Sequence, residues 1–211
     1  MKKFLLLFSV VGMLLAACEA GDNLGDGNSS NGSNGSGQVH DPDNPLNNKK
    51  CSNNEILHVS KSCLPMELST YDGWGVKLTS NTYENGVGRL TFNGEVTTIP
   101  QKAFYENKLL EYIKIPNGVT FIGDYAFYCC GSLASITIPD SVTLIRDGAF
   151  YNCTSLTSVY CKPTTPPDGG FWMFEYNASG RKIYVPRNSV SAYKSANGWG
   201  DYANYIEGYD F

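Results

Sequence analysis

Cysteine is the residue type in this chain that can take part in the widest range of chemistry, because a thiol can bind zinc, form a disulfide or act as a nucleophile. The chain has seven cysteines: Cys18, Cys51, Cys63, Cys129, Cys130, Cys153 and Cys161. The last four lack the close CxxC pairs of structural zinc sites, and the two histidines, His40 and His58, lie outside their stretch. The sequence therefore predicts no metal site and no cofactor.

Recognisable catalytic motifs do not occur in the sequence. It has no GxSxG elbow, no phosphate-binding loop and no HExxH motif. Asp124 and Asp147 occupy equivalent positions of an internal repeat and could suggest the paired carboxylates of a glycosidase. Because the two residues would lie on neighbouring coils, they would be about 4.8 Å apart on the same wall of the stack. The carboxylates of a glycosidase lie on opposite sides of a cleft. We interpret both as solvated turn residues and predict that the protein is not an enzyme.

A 23-residue repeat organises the middle of the chain. Residues 96–107, 119–130 and 142–153 align with one another at this spacing. Each aligned stretch contains the same apolar positions, among them Ile99, Ile122 and Ile145, and the same Ala-Phe-Tyr triplet. Because these apolar positions recur at fixed spacing, we expect them to meet in one shared core.

Short segments of alternating apolar and polar residues precede the aligned stretches. They occupy residues 90–92, 113–116, 136–139, 159–161 and 183–186. Alternation turns one strand face to a core, and a following proline ends strand pairing because it has no amide hydrogen. One strand per coil predicts a parallel ladder. A single coil cannot bury its own apolar side chains, so about three or more coils are needed, with a cap at each end.

The repeat resembles the BspA-like leucine-rich repeat family, whose unit reads roughly LxxIxIPxxVxxIgxxAFxxC. Residues 110–130 and 133–153 match this unit, whereas the unit ending at Asn107 has Asn93 in place of the proline and Asn107 in place of the cysteine. The resemblance covers about residues 90–160. It implies a mainly β repeat solenoid, a right-handed stack of leucine-rich-repeat-like coils, that binds host matrix proteins, other bacteria or glycans.

The amino terminus has the features of a bacterial lipoprotein signal. Lys2 and Lys3 precede an apolar run that is too short to span a membrane, and Leu-Ala-Ala-Cys at residues 15–18 matches the lipobox, in which Cys18 is lipidated. The alternative is a plain signal peptide with an incidental cysteine. The family resemblance, together with Glu19 and Asp22 close to Cys18, implies display on the outer face of a bacterial outer membrane rather than a periplasmic orientation.

Composition divides the rest of the chain. Residues 18–50 are rich in Gly, Asn, Ser and Asp and predict a flexible tether. Residues 51–88 would form an N-terminal cap, residues 89–188 a solenoid of about five coils, and residues 189–211 a C-terminal cap. The net charge of −4 would become −6 without residues 1–17, which makes nucleic acid a poor partner. We expect a monomer that contacts the membrane only through its lipid.

The cysteines left after Cys18 allow several disulfide patterns. Cys51 and Cys63 flank a compact stretch, and an oxidising envelope would let them tie down the N-terminal cap. Cys130 and Cys153 share a repeat position and would lie about 4.8 Å apart, close enough to bridge. We interpret this second pair as small buried apolar residues, since stacked side chains do not automatically aim their Cβ bonds at each other.

The exposed face of the predicted ladder is the candidate binding surface. Its central column consists of Thr91, Lys114, Thr137, Tyr160 and Tyr184. A neighbouring column consists of Arg89, Tyr112, Ser135, Ser158 and Lys182. Tyr112, Lys114, Tyr160 and Tyr184 are the best candidates, because tyrosines and cations often anchor partners. The alternative is that all of them are ordinary outward residues of solvated strands.

Aromatic residues crowd the far end of the chain. They are Phe171, Trp172, Phe174, Tyr176, Tyr193, Trp199, Tyr202, Tyr205, Tyr209 and Phe211. We expect them to seal the last coil, with a short helix over residues 189–197 that Gly198 ends. Alternatively, some of them form a platform on which sugar rings stack. The sequence thus favours a surface adhesion protein that uses its strand face, with a glycan-binding accessory lipoprotein or a structural envelope protein as alternatives.

Overall fold

The structure is a computed structural model that describes residues 44–211. The predicted signal peptide, the lipidation site at Cys18 and residues 18–43 of the predicted tether lie outside the described residues. Within the described range, none of the helices is long and apolar enough to cross a membrane.

Strands dominate the described part of the chain. They are β1 (Glu55–Ser60), β2 (Leu78–Glu84), β3 (Val87–Phe92), β4 (Thr98–Ile99), β5 (Leu110–Lys114), β6 (Phe121–Ile122), β7 (Ser135–Ile138), β8 (Leu144–Ile145), β9 (Ser158–Cys161), β10 (Asp168–Gly169), β11 (Lys182–Pro186) and β12 (Ile206–Tyr209). One α-helix, α1 (Val190–Ser195), lies between the last two strands, with 3-10 turns at Arg187–Ser189 and Gly200–Tyr205.

Two parallel ladders run along the repeats. The first has the order β7-β9-β11-β12, and its register aligns Thr137 with Tyr160 and Tyr184. The second consists of the two-residue strands β4, β6, β8 and β10, paired in chain order. The first ladder confirms the predicted parallel strands from the third coil onward. The second ladder was not predicted, because two residues are too few to show strand alternation.

The beginning of the solenoid differs from the prediction. Residues 90–92 were expected to start the parallel ladder, but they belong to β3, which pairs antiparallel with β1 and β2. Strand β1 also pairs antiparallel with β5, so the first sheet has the order β2-β3-β1-β5. The prediction that the first two of the alternating segments join the parallel ladder is therefore wrong, although β4 and β6 of the same coils do pair in parallel. A strand from the cap, β1, lies between β3 and β5 and covers the open edge of the repeats.

The core is built from columns of identical residues on successive coils. Phe104, Phe127, Phe150 and Phe174 are fully buried, with ring centroids 4.9, 5.0 and 5.4 Å apart along the column. These separations follow the spacing of neighbouring strands, about 4.8 Å. Each buried phenyl ring stabilises the fold by about 1.5–3 kcal/mol. The recurring apolar positions thus meet in one core, as predicted.

The cysteines of the repeat pack as thiols. Cys130 and Cys153 are fully buried, and their Sγ atoms donate to the carbonyl oxygens of Phe104 and Phe127, each at 3.1 Å. Each thiol thereby satisfies a carbonyl group of the preceding coil. This geometry confirms the interpretation of these two cysteines as small buried residues.

The predicted Cys51–Cys63 disulfide does not form, since both residues are free thiols. Cys51 donates to the carbonyl oxygen of Glu55, at the start of β1, with a distance of 3.2 Å. The amide of Cys63 donates to the carbonyl oxygen of Ser60, at the end of the same strand. Six extended residues separate these two contacts by about 16 Å, far more than a disulfide spans.

Aromatic side chains close the far end of the solenoid. Phe174, Tyr193, Trp199 and Tyr202 are buried together, and the indole nitrogen of Trp199 donates to the carbonyl oxygen of Pro167 at 2.8 Å. The short helix α1 lies within the predicted residues 189–197, before Gly198. These contacts confirm an aromatic-rich C-terminal cap, although three of the predicted cap aromatics remain exposed.

His58 is buried in β1 without a polar partner. Neither ring nitrogen has a hydrogen-bond partner, and the ring lies so close to Gly88 that a Cβ at that position would lie 2.0 Å from it. Burial in this apolar setting disfavours the charged imidazolium and lowers the pKa of His58 to about 4.

We predict that the His58→Leu variant loses much less stability in mild acid than the wild type. The pKa of His58 falls from 6.5 in the unfolded chain to about 4 in the folded one, so the unfolded chain binds more protons. The contribution of His58 to the free energy of unfolding is therefore fully present above pH 6.5. As the pH falls towards 4, the free energy of unfolding decreases by about 3 kcal/mol. Urea unfolding at pH 7 and pH 4.5 measures this difference. Equal losses in both proteins would contradict it.

Candidate recognition surfaces

The predicted strand face is interrupted at its first coil. Thr137, Tyr160 and Tyr184 lie side by side through the parallel register, as do Ser135, Ser158 and Lys182. Thr91 and Arg89 lie in the antiparallel sheet instead, and β1 separates them from β5, which carries Tyr112 and Lys114. The ten predicted positions therefore do not form two continuous columns.

Residues 44–50, which we call the strap, cover part of this face. The ammonium group of Lys114 donates to the carbonyl oxygens of Leu46, Asn47 and Lys49, at 3.2, 3.4 and 2.7 Å. The side chain of Leu46 is only 1% exposed. The predicted tether boundary at residue 50 is thus wrong, because the chain packs onto the solenoid from residue 44. Lys114 holds the strap and is not an open anchor for a partner.

The C-terminal end covers the other part of the face. Tyr160 is only 5% exposed, stacks on Tyr184 with ring centroids 4.9 Å apart, and meets the ring of Tyr209 edge-on at 5.6 Å. Phe211 in turn packs against Tyr209 at 5.2 Å. Tyr160 therefore belongs to a packed aromatic cluster, and its prediction as an exposed anchor is wrong.

Three more candidates on this face are buried or engaged. Ser135 is 3% exposed, which contradicts its prediction as a surface residue. Lys182 forms an ion pair with Glu207, and Arg89 forms one with Glu55 at 2.7 Å. Tyr112, Thr137, Ser158 and Tyr184 are half-buried. The strap and the C-terminal residues, which lie over the strands, cover most of this surface.

Tyrosines line the opposite wall, where each coil turns. The rings of Tyr105, Tyr128 and Tyr151 stack with centroids 4.9 and 5.3 Å apart and planes within 6° and 8° of parallel. We call these three residues the tyrosine ladder. Desolvation, together with Tyr176 and Tyr128, raises the pKa of Tyr151, so its hydroxyl stays protonated and can donate.

The last coil adds an exposed aromatic group to this wall. Phe171, Trp172 and Tyr176 are 71, 59 and 66% exposed, and we call them the aromatic patch. The ring of Tyr176 meets that of Tyr151 edge-on at 5.1 Å, so the patch continues the tyrosine ladder. Of the residues between Trp172 and Tyr176, Met173 and Phe174 are fully buried and Glu175 is half-buried.

Hydrogen bonds between coils show which earlier residues correspond to the aromatic patch. The amide of Gly148 donates to the carbonyl oxygen of Phe171, just as the amide of Tyr125 donates to that of Asp147. The last coil is thus offset by 24 residues from the one before it. Phe171, Trp172 and Tyr176 correspond to Asp147, Gly148 and Asn152.

Two positions of the aromatic patch have a backbone conformation that disfavours large side chains. Trp172 and Tyr176 both have φ of 56°, and their equivalents Gly148 and Asn152 have φ of 58° and 57°. Glycine and asparagine adopt this left-handed region readily, whereas other residues pay about 1–2 kcal/mol. The last coil therefore has exposed aromatic residues where its neighbour has residues that suit the turn.

The sequence predicts the aromatic patch only if the last coil is aligned with an offset of 24 residues instead of 23. Our alignment used a spacing of 23 residues and assigned all the late aromatics to the cap. A shift by one residue places Phe171, Trp172 and Tyr176 on outward turn positions. The alternative prediction, that some of these aromatics form a platform on which sugar rings stack, stays a prediction, although Phe171, Trp172 and Tyr176 are exposed.

The two aspartates considered for catalysis serve the turns. Asp124 pairs with Arg146 at 3.5 Å, and Oδ1 of Asp147 accepts the amide of Phe171 at 2.8 Å. Residues 44–211 contain no group of three or more side chains that could hold a metal ion. Both aspartates contribute to contacts between neighbouring coils.

Repeated turns, parallel ladders and stacked apolar columns define a leucine-rich repeat solenoid. The family model described as BspA type leucine-rich repeat region matches residues 79–196, with six copies. This match covers more than half of the sequence, so the chain belongs to the BspA-type leucine-rich repeat family. Proteins built from such repeats are generally non-enzymatic and mediate protein interactions.

Comparison with solved structures gives three matching chains. One is a leucine-rich repeat protein from Bacteroides ovatus, with 26% sequence identity and a TM-score of 0.42. The match covers 55% of this chain and 29% of that protein. No curated protein matches the chain.

We predict that the Lys114→Gln variant loosens the strap. Glutamine cannot replace three hydrogen bonds from a charged ammonium group, each worth about 1.5–3 kcal/mol. Hydrogen exchange at the amide of Lys49, which donates to Leu46 within the strap, should become faster by about tenfold or more. Lys182→Gln is the matched control and should leave this amide unchanged. Unchanged exchange in both variants would show that Lys114 does not hold the strap.

Proposed function

We propose that this chain is a lipid-anchored recognition protein of the bacterial surface, which binds an extracellular protein through the aromatic patch and the tyrosine ladder. The observation that carries the proposal is the exposure of Phe171, Trp172 and Tyr176 at turn positions where the preceding coil has Asp, Gly and Asn. The preceding coil folds without aromatic residues there, and the left-handed backbone at Trp172 and Tyr176 disfavours large side chains. A partner accounts for their presence.

The aromatic patch has the composition of a binding hot spot. Within residues 44–211, six large apolar side chains are exposed, and three of them lie within residues 171–176. Tryptophan and tyrosine are enriched among residues that dominate binding energy, because a rigid ring offers a large area at low entropic cost. A concentrated exposed group of this kind marks an interaction site.

The geometry of the tyrosine ladder favours a protein partner over a sugar. Its rings face one another along the wall, so the ring faces between neighbouring tyrosines are covered. Sugar rings stack on open aromatic faces, which the ladder does not present. Protein interfaces use aromatic edges and hydroxyl hydrogen bonds equally well. The membership of a repeat family that mediates protein interactions supports the same choice.

A lipid anchor would suit a small recognition surface. The lipobox before Cys18 and the Gly-, Asn- and Ser-rich residues that follow support anchoring through a tether. Many copies held on one membrane would strengthen weak individual contacts by raising the effective concentration. Binding should therefore be measured with the protein at high surface density.

We predict that the triple variant Phe171→Asp, Trp172→Gly, Tyr176→Asn loses protein binding while it keeps or gains stability. The new residues copy the equivalent positions of the preceding coil, and removal of two large left-handed side chains would stabilise the fold by about 1–2 kcal/mol. The full chain, coupled densely to beads, is tested against an array of extracellular matrix proteins. Urea unfolding checks the stability.

Two control variants define what this experiment excludes. Tyr71→Ala removes a tyrosine that is 64% exposed elsewhere on the molecule and should leave binding unchanged. The pair Tyr112→Ala and Tyr184→Ala tests the strand face. Binding that survives the triple variant but not this pair would overturn the choice of surface. Binding to glycans alone, or to nothing on the array, would overturn the choice of a protein partner.

We predict that Cys18→Ser prevents lipid attachment. Growth with a radiolabelled fatty acid should label the wild-type chain and leave the variant unlabelled, because the acyl groups attach at the cysteine that follows the lipobox. Protease treatment of intact cells then reports display, since a surface protein is digested and a periplasmic one is protected. Labelling of the variant would contradict the predicted anchor.

A further inference from the structure

A groove between the strap and the strand face collects positive charge. It has a volume of about 320 Å³, and its lining includes Lys49, Lys50, Lys114 and Lys162. Among residues 44–211, no aspartate or glutamate lines it, although the chain as a whole carries a net charge of −4. Like charges repel when they are brought together, and a groove lined by one sign of charge attracts the opposite one.

In the described part of the chain, the groups around this groove provide no balancing negative charge. The Cys51 thiol lines the groove, and burial raises its pKa to about 11, so it is uncharged at neutral pH. Glu55, whose charge also acts on Cys51, is paired with Arg89 at 2.7 Å. Asp140 follows the lining residue Pro139 but is exposed outside the groove.

The four lysines have different roles. Lys114 donates to three carbonyl groups of the strap and thereby fixes one wall of the groove. Desolvation lowers the pKa of Lys114; Cys51 opposes this shift, and the positive charge of Lys162 adds to it. Lys49, Lys50 and Lys162 form no ion pair within the described part of the chain.

Neutral polar groups complete the lining. Asn44, Asn47, Asn117 and Thr137 also line the groove, and Oδ1 of Asn44 accepts a hydrogen bond from the amide of Leu46. An amide offers both donors and an acceptor, which suits a ligand that has several hydroxyl groups. The volume is near the lower end of the range for ligand sites, about 300–1,000 Å³, and suits one or two sugar rings.

We propose that this groove binds an acidic saccharide, that is, a sugar unit with a carboxylate or sulfate group. The lysines bind the anionic group, and the amides and Thr137 bind the hydroxyl groups. This site lies on the strand face and does not depend on the aromatic patch or on the proposed protein partner. An acidic peptide satisfies the charge but not the hydroxyl-binding groups.

The test compares a sulfated hexasaccharide with the unsulfated form of the same backbone, both flowed over the immobilised full chain. We expect binding of the sulfated probe only, weakened by added salt because salt screens exposed charges. The double variant Lys50→Gln, Lys162→Gln should bind about tenfold more weakly. The matched control Lys77→Gln, Lys194→Gln has the same net charge, with both changes at exposed positions elsewhere, and should bind within about twofold of the wild type.

Several outcomes would overturn the proposal. These are the absence of binding to the sulfated probe, equal binding of the unsulfated probe or of polyglutamate, and equal losses in the two lysine variants. Equal thermal midpoints for both lysine variants would exclude unfolding as the cause of any loss. The triple variant of the aromatic patch should retain saccharide binding, so failure at one site is distinguished from failure at the other.

Discussion

The coil-to-coil register is the constraint on which the rest of this structure depends. Amide groups of one coil donate to carbonyl groups of the next, for example Phe104 to Ala126 and Phe127 to Ala149, both at 2.7 Å. These bonds place each phenyl ring directly over its neighbour. A single coil has too few apolar contacts to be stable alone, so a loss of register would expose the whole column. Stability is shared by all the coils.

A stack of this kind has two open ends, and both are covered by segments of the same chain. Strand β1 and the strap cover the beginning, whereas α1, Trp199 and Tyr209 cover the end. The strap and Tyr209 also lie over part of the strand face. On the turn wall, Ser69 of the N-terminal cap contacts Tyr105 on the first coil, whereas the aromatic patch on the last coil is exposed. The requirement to close the ends thus leaves the strand face with a narrow groove and the last turn with an open aromatic surface.

The sequence predicted those parts of the fold whose signal is local and repeated. The columns of Ile and Phe, the parallel strands from residue 136 onward and the buried thiols of Cys130 and Cys153 all follow from the spacing. The antiparallel insertion of β1 could not be predicted, because it pairs segments that are distant in sequence and have no common period. Burial of Tyr160 and Ser135 was missed for the same reason: both depend on how distant parts of the chain pack.

The left-handed turn positions separate the choice of side chain from the packing of the core. Each coil has two such positions, and Lys102, Tyr125, Gly148 and Trp172 occupy the first of them on successive coils. Their backbone conformation is nearly constant, with φ between 55° and 58°, while the residue type ranges from glycine to tryptophan. Substitution there changes the surface at a cost of about 1–2 kcal/mol and leaves the buried columns intact. Such a scaffold can acquire new binding specificities during evolution one turn at a time, and each added coil extends the set of sites on which selection can act.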